Sequence, residues 1–169
     1  MKDKTYIITG ASRGIGLAVS KAMASAGAAT VLVSSDNDAL AFAKDEIGRI
    51  YENAGLQNRS YAYPLDLRKP ENIADFFKDI KERGLIIDGL IYCAGAAPLR
   101  PAVQMTPSVM SDTFAVNFFS FAEMARLYLK NRKKNLSGGG LWLFPVSPLL
   151  IMKAAGLLTR LQKPLLNAA

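Results

Sequence analysis

Apolar positions along the chain alternate between two periods. Tyr6-Ile7-Ile8 is a continuous apolar run that ends at Thr9-Gly10. Ile15, Val19, Met23 and Ala26 then recur at helical spacing until Gly27 punctuates the chain. Thr30-Val31-Leu32-Val33 reads as a second buried strand, and residues from about Ala39 to Asn53 as an amphipathic helix stopped by Gly55. Tyr61-Ala62-Tyr63-Pro64-Leu65 is the third strand. Pro70 opens a helix carrying Ile73, Phe76, Phe77 and Ile80, which Gly84 ends. Asp88 to Cys93 is the fourth strand, followed by one long helix from about Pro107 to Lys134. Four strand–helix repeats predict an α/β fold, a doubly wound parallel sheet with helices on both faces and right-handed crossovers.

The pattern changes at about Leu141. Trp142, closely spaced prolines and no acidic residue follow, with no clear period. The chain is therefore divided into an incomplete α/β unit over residues 1–140 and an aberrant apolar and basic tail over 141–169. The sheet is expected to stop after about the fourth strand and its helix, although Leu141 to Val146 is apolar enough to add an edge strand.

Composition narrows the function. Half of the 169 residues are hydrophobic, which fits a globular core but is short for a complete two-layer enzyme. The single cysteine, Cys93, excludes an internal disulfide framework and reads as a small buried hydrophobe. With no histidine, Ser-His-Asp catalysis and the usual zinc sites are excluded, and no metal is expected. The net charge of +7 is uneven. Residues 1–123 carry 13 Lys/Arg against 14 Asp/Glu, and the excess lies beyond Glu123, where five cations end the long helix. That placement argues against a nucleic-acid partner. No secretory pattern and no apolar run of spanning length is present, and Pro145, Pro148 and Lys153 interrupt the tail. The expectation is a cytoplasmic protein without membrane attachment.

Gly10, Gly14 and Gly16 follow the first strand and open the first helix. The first permits a tight turn, the second lets backbone approach a pyrophosphate, and the third lets the helix pack close to the sheet. The helix then offers free N–H groups to the phosphates. The spacing is G-x-x-x-G-x-G rather than G-x-G-x-x-G, but its place between strand and helix predicts a dinucleotide cradle.

Thr9-Gly10-Ala11-Ser12-Arg13-Gly14-Ile15-Gly16 resembles the cofactor signature of the short-chain dehydrogenase/reductase family, whose fold is Rossmann-like. Asp66-Leu67 after the third strand resembles the family segment whose acid contacts the adenine ring. Cys93-Ala94-Gly95 resembles its N-N-A-G segment, and Asn117 the helix asparagine that helps hold a proton-relay water. The resemblance covers about residues 4–140. It implies hydride transfer between a nicotinamide and a small-molecule carbonyl or alcohol substrate, and intact relatives that form homo-oligomers. Cofactor contacts fall to Gly10, Ser12, Arg13, Gly14, Ile15, Gly16, Ser34, Ser35, Asp66, Leu67, Ala94 and Gly95, and the catalytic role to Asn117. Tyr92 and Cys93 stand where the family has two asparagines, which removes hydrogen bonds expected to brace that strand end. Ser34 replaces the acid that pairs with NAD ribose, and Arg13 suits a 2′-phosphate, so NADP is favoured; Asp36 argues for NAD, which stays the alternative.

The family's chemistry also needs a serine and a Y-x-x-x-K pair. The sequence contains no Y-x-x-x-K: the last tyrosine, Tyr128, is followed four residues later by Arg132, and Ser147 lies between Pro145 and Pro148. The genetic code offers an explanation. When each codon is built from the third base of one codon and the first two of the next, Leu141 to Leu166 can encode I-V-V-V-S-S-I-A-A-S-Y-Y-E-G-G-W-A-A-Y-A-A-S-K-A-A-L. The tyrosine then overlaps Thr159 and the lysine Lys163. The second serine lies thirteen positions before that tyrosine, over Val146. One nucleotide lost near the codons of Gly138, Gly139 and Gly140 produces this shift. The chain as written is expected to be inactive, with apolar faces left exposed and prone to aggregate. The alternative is a non-catalytic nucleotide-binding remnant.

Overall fold

In a computed structural model the chain is described over residues 1–99, 101–131 and 140–143. The elements are β1 (Thr5–Thr9), α1 (Gly14–Ser25), β2 (Ala29–Ser34), α2 (Asn37–Asn53), β3 (Ser60–Pro64), α3 (Ile73–Glu82), β4 (Gly89–Tyr92), α4 (Pro107–Phe114), a π-helical turn (Ala115–Phe119), α5 (Ser120–Asn131) and β5 (Gly140–Leu143). Single 3-10 turns precede α3 and α4.

All strand pairs are parallel, in the order β3-β2-β1-β4-β5. The chain winds outward from β1 through β2 to β3, then crosses back to lay β4 on the other side of β1. The reversal between β1 and β4 is the crevice where doubly wound folds place ligands.

Burial on both faces explains the unbroken apolar strands. Ile7, Val31, Val33, Leu90 and Tyr92 turn to one face, where Phe76, Phe77 and Ile80 of α3 and Phe121, Met124 and Tyr128 of α5 cover them. Tyr6, Ile8, Leu32 and Ile91 turn to the other, under Ala24 of α1 and Leu40, Ile47 and Tyr51 of α2. Alternate residues of each strand thus feed two separate cores.

At the edge of the sheet where the strands begin, Asp88 ties β1 to β4. Its buried carboxylate accepts the Thr5 N–H at 2.9 Å and the Lys4 ammonium at 3.0 Å. The buried Tyr128 hydroxyl donates to the Asp88 carbonyl at 2.8 Å. Tyr128 therefore serves this edge, opposite the glycine turn.

Two elements refine the sequence reading. The apolar run at Leu141 does add an edge strand, β5, beside β4 with Ile91 opposite Trp142. The Trp142 ring leans on Tyr6, with centroids 6.1 Å apart. The single long helix predicted from Pro107 runs unbroken to Asn131 and carries a π turn between α4 and α5. Residues 132–134, assigned to that helix, and the tail from residue 144 lie outside the described residues. Among the described residues no helix is long and apolar enough to cross a membrane.

Candidate functional site

The glycine turn sits at the C-terminal end of β1. Gly10 adopts φ +63°, and a Cβ there would come within 3.0 Å of the Ala94 backbone. Its small size lets the turn pass against the segment leaving β4. Gly16 is tighter still: a Cβ would stand 2.2 Å from the Gly10 carbonyl oxygen. Gly14 differs in kind, with φ +57° and nothing within 4 Å of a Cβ position. Its open side is where the sequence places a pyrophosphate.

Helix α1 starts without a cap. Arg13 holds the N-cap position in extended conformation, no side chain bonds the first N–H groups, and the first turn contains no acid. The start of the helix, with the positive end of its dipole, is left without a side-chain partner, an arrangement that suits an anion. The residues present therefore fit a dinucleotide phosphate on an observation of the fold.

Around this turn lies a cleft of about 290 Å³. Gly10, Ser12 and Arg13 line it from the turn, Ser34 and Ser35 from the end of β2, Asp66 and Leu67 from beyond β3, and Ala94 and Gly95 from beyond β4. Segments far apart in sequence thus meet as the motifs imply. Gly14, Ile15, Gly16 and Asn117 do not line the cleft. Gly16 is buried in the turn, Gly14 and Ile15 are exposed on the first turn of α1, and Asn117 stands behind the wall. A larger apolar hollow of about 360 Å³, lined by Phe77, Ile80, Leu85 and Tyr128, opens at the opposite edge of the sheet. The converging polar groups are in the smaller cleft, which is therefore the candidate site.

Hydrogen bonds fix its walls. The fully buried Thr9 hydroxyl accepts from Cys93 N at 3.1 Å and from Ala94 N at 3.0 Å, stapling the end of β1 to the end of β4. The Ala11 N–H donates to the Val33 carbonyl at 3.1 Å and ties the turn to β2. Ser34 Oγ bonds Ser12 Oγ at 2.9 Å, so both hydroxyls stand together beside Arg13. Asp36, read as favouring NAD, spends a carboxylate oxygen on the Ala39 N–H at 3.0 Å and caps α2. Asp66 pairs with Arg68, whose Nη2 lies 2.7 Å from Oδ2. The Arg68 hydrogen bond holds the Asp66 carboxyl below its ordinary range, against a smaller opposing effect of burial. Asp66 is an anion at neutral pH.

The strand end beyond β4 is braced, although both family asparagines are replaced. Asn117 clamps Ala96 in both directions: its Oδ1 accepts the Ala96 N–H at 2.8 Å and its Nδ2 donates to the Ala96 carbonyl at 2.7 Å. Tyr92, fully buried, donates its hydroxyl to the Val116 carbonyl at 2.5 Å, inside the π turn. The phenol thereby ties the end of β4 to the π turn. Burial pushes the Tyr92 phenol above its usual value, so it stays a donor. Burial likewise raises the half-buried Cys93 thiol to about 11, which leaves no thiolate for nucleophilic work at neutral pH.

Replacing Tyr92 with Phe is expected to cost about 1–2 kcal/mol, the price of an orphaned buried carbonyl. Urea unfolding measures the loss. Hydrogen exchange localises it: amides of Ala115–Phe119 and Ala96 should exchange faster, while those of β2 and β3 stay protected. Unchanged exchange over the π turn would mean the phenol does not hold it.

The sequence motifs did not point to Thr9 as the staple or to Arg68. Both act through partners revealed only by the fold or by side-chain geometry.

The short chain dehydrogenase family pattern matches residues 4–139. A D-beta-hydroxybutyrate dehydrogenase of Rhizobium meliloti (strain 1021) is 37% identical over 133 residues, 78% of this chain and 49% of that protein. Among solved structures, a short chain dehydrogenase from Pseudomonas syringae superposes with a TM-score of 0.72 at 25% identity, covering 84% of this chain and 57% of that one. L-sorbose reductase from Gluconobacter frateurii, solved with NADPH and L-sorbose, gives a TM-score of 0.67 at 24% identity, covering 77% and 48%. The chain spans about half the length of the curated relatives it matches. With the glycine turn, the parallel sheet and the family match in agreement over most of its length, the chain belongs to the short chain dehydrogenase family.

Proposed function

We propose that this chain is the dinucleotide-binding part of an NAD(P)-dependent oxidoreductase acting on a small carbonyl or alcohol, and that as written it binds cofactor without turnover. The observation that carries the reading is the uncapped start of α1, with Gly14 open to solvent, at one side of a cleft whose other side presents Asp66. The α1 N–H groups would hold the pyrophosphate, and Asp66 with Leu67 the adenine. The nicotinamide, when bound, supplies or accepts the hydride. Thr9 and Asn117 keep the β4 exit in place against the cofactor.

NADP is the favoured form. Ser34, with Ser35 beside it, stands where an acid would otherwise take the ribose hydroxyls, Ser12 and Arg13 line the same cleft, and Asp36 is engaged as a helix cap. A 2′-phosphate gains there the Ser12 hydroxyl as a donor, itself accepting from Ser34, and a guanidinium. The missing serine and Y-x-x-x-K favour the second part of the reading, since Tyr128 is buried at the far edge of the sheet.

Titrating the full chain with NADPH and NADH, followed by nicotinamide fluorescence, tests this. NADPH should bind at least about tenfold tighter, the low end of what a hydrogen bond to a charged group supplies. Arg13→Ala should erase most of that difference and leave NADH binding nearly unchanged. Equal affinity for both cofactors in the parent would overturn the NADP assignment, and no binding of either would overturn the cleft assignment.

A further inference from the structure

Arg68 is more than half exposed, yet it makes the densest polar contact in the cleft. Its Nε lies 3.0 Å from Asp66 Oδ1 and 3.1 Å from Oδ2, its Nη2 lies 2.7 Å from Oδ2, and its own backbone N–H donates to Oδ1 at 3.0 Å. A carboxylate offers about four acceptor positions; Arg68 brings three hydrogens to its four contacts, the Nε hydrogen being shared between the two oxygens, which leaves capacity for roughly one further donor. The guanidinium fork also fixes the plane of the carboxylate, as a point charge would not. Arg68, Ala96 and Val116 border both the cleft and a neighbouring groove, so this side chain stands in the wall at the Asp66 end. The other charges around the pair are Lys69, which acts on Asp66, and Asp112 of α4, which acts on Arg68.

Resting on the reading that the cleft takes a dinucleotide, we propose that Arg68 is a positioning residue for base recognition. It fixes the plane and charge of Asp66 so that the remaining acceptor position selects a purine bearing an exocyclic amino group over one bearing an oxo group. An amino group donates to an ionised carboxylate. An oxo group sets lone pairs against it and is rejected. A protonated carboxyl reverses this, because it donates to the oxo group and the preference disappears. Arg68 holds the Asp66 carboxyl low, so the preference survives into acid. Removing Arg68 raises that carboxyl towards its ordinary range, and the preference is lost at a higher pH as the solution is acidified.

The test compares binding of NADP and its hypoxanthine analogue to the full chain by calorimetry, from neutral pH down through the ordinary carboxylate range. The parent should prefer the adenine form by about tenfold, a hydrogen bond to a charged acceptor. Arg68→Ala should lose the preference at a higher pH than the parent. Arg68→Lys, which keeps the charge but not the fork, should fall between them. Asp66→Asn, which both donates and accepts, should show no preference at any pH. Because Arg68 is exposed, its variants are expected to fold, and a melt confirms it. An Arg68→Ala chain that keeps the parent's ratio across the range, or that weakens both ligands equally, overturns the role of Arg68 alone. A parent that binds neither ligand overturns the cofactor reading and this inference with it.

Discussion

Gly14→Ala should leave the protein folded and nearly abolish NADPH binding, whereas Gly16→Ala should cost both fold and binding. The two glycines lie two residues apart, but their surroundings are opposite. A Cβ on Gly16 would stand 2.2 Å from the Gly10 oxygen, 2.6 Å from its carbonyl carbon and 3.1 Å from Ala11 N. All three are backbone atoms of the turn, and Ala11 N is itself tied to β2. Relief requires α1 to move off the sheet, at about 3 kcal/mol, the upper end for overpacking. Gly14 has open space at its Cβ position, so alanine there meets no protein atom. It costs only the left-handed backbone, about 1–2 kcal/mol. The new methyl instead enters open space at the first turn of α1, where the proposed cradle takes the pyrophosphate. A pyrophosphate displaced from those donors should lose about a hundredfold in affinity, about 2.8 kcal/mol at 1.4 kcal/mol per decade. Urea melts and NADPH titrations of both variants separate the effects. A Gly14→Ala chain that binds as the parent does would show that no phosphate lies against Gly14.

The contrast also shows what the sequence could and could not carry. That Gly10, Gly14 and Gly16 formed one turn was legible, because a glycine triplet between a strand and a helix has few other uses. Which glycine faced protein and which faced solvent was not, since Gly10 is closed in by Ala94 beyond β4 and Gly16 by the Gly10 carbonyl across the turn, and neither approach is written in the spacing. The strands were legible because parallel strands buried on both faces read as unbroken apolar runs, as Tyr6-Ile7-Ile8 and Thr30–Val33 do. The π turn was not, because Phe114 to Phe121 keeps a helical distribution of apolar residues and the side chain that bonds the turn, Tyr92, belongs to another element. The same bond explains why replacing the family's asparagines did not unbrace the end of β4: a phenol reaches the helix and the Thr9 hydroxyl holds Cys93 and Ala94. Asp36 is the opposite case. An acid just before an amphipathic helix is also a capping signal, and Asp36 does cap α2 through the Ala39 N–H, a partner that weighing it for ribose alone leaves out. Arg68 carried no signal, because a basic residue two positions from an acid is common and only side-chain geometry makes a fork of it.

Restoring one nucleotide in the codons of Gly138 to Gly140 should yield an active carbonyl reductase, where the chain as written is expected to show no turnover. The family pattern matches through residue 139, next to those codons, which supports the proposed break. In the written frame β5 offers Leu141-Trp142-Leu143 to β4, and Trp142 remains 42% exposed while crowding Gly89 and Gly140. The alternative frame supplies isoleucine and valines at those positions. β-branched side chains suit a parallel strand covered on both faces better than an indole does. β5 runs parallel to β4, so in the restored chain the serine over Val146 would follow the strand at the same edge as Ala94 and Gly95. The tyrosine over Thr159 and lysine over Lys163 would lie one helical turn apart, on one face. A cation held beside a phenol favours the phenolate and lets a weak acid exchange protons near neutral pH, typically about 10²–10⁴-fold in rate. Assaying both chains with NADPH against a panel of small aldehydes and ketones should give consumption only with the restored one, and changing its new tyrosine to phenylalanine should remove it. Cofactor-dependent reduction by the chain as written, or an inert restored chain that folds and binds NADPH, would refute the lost-nucleotide account.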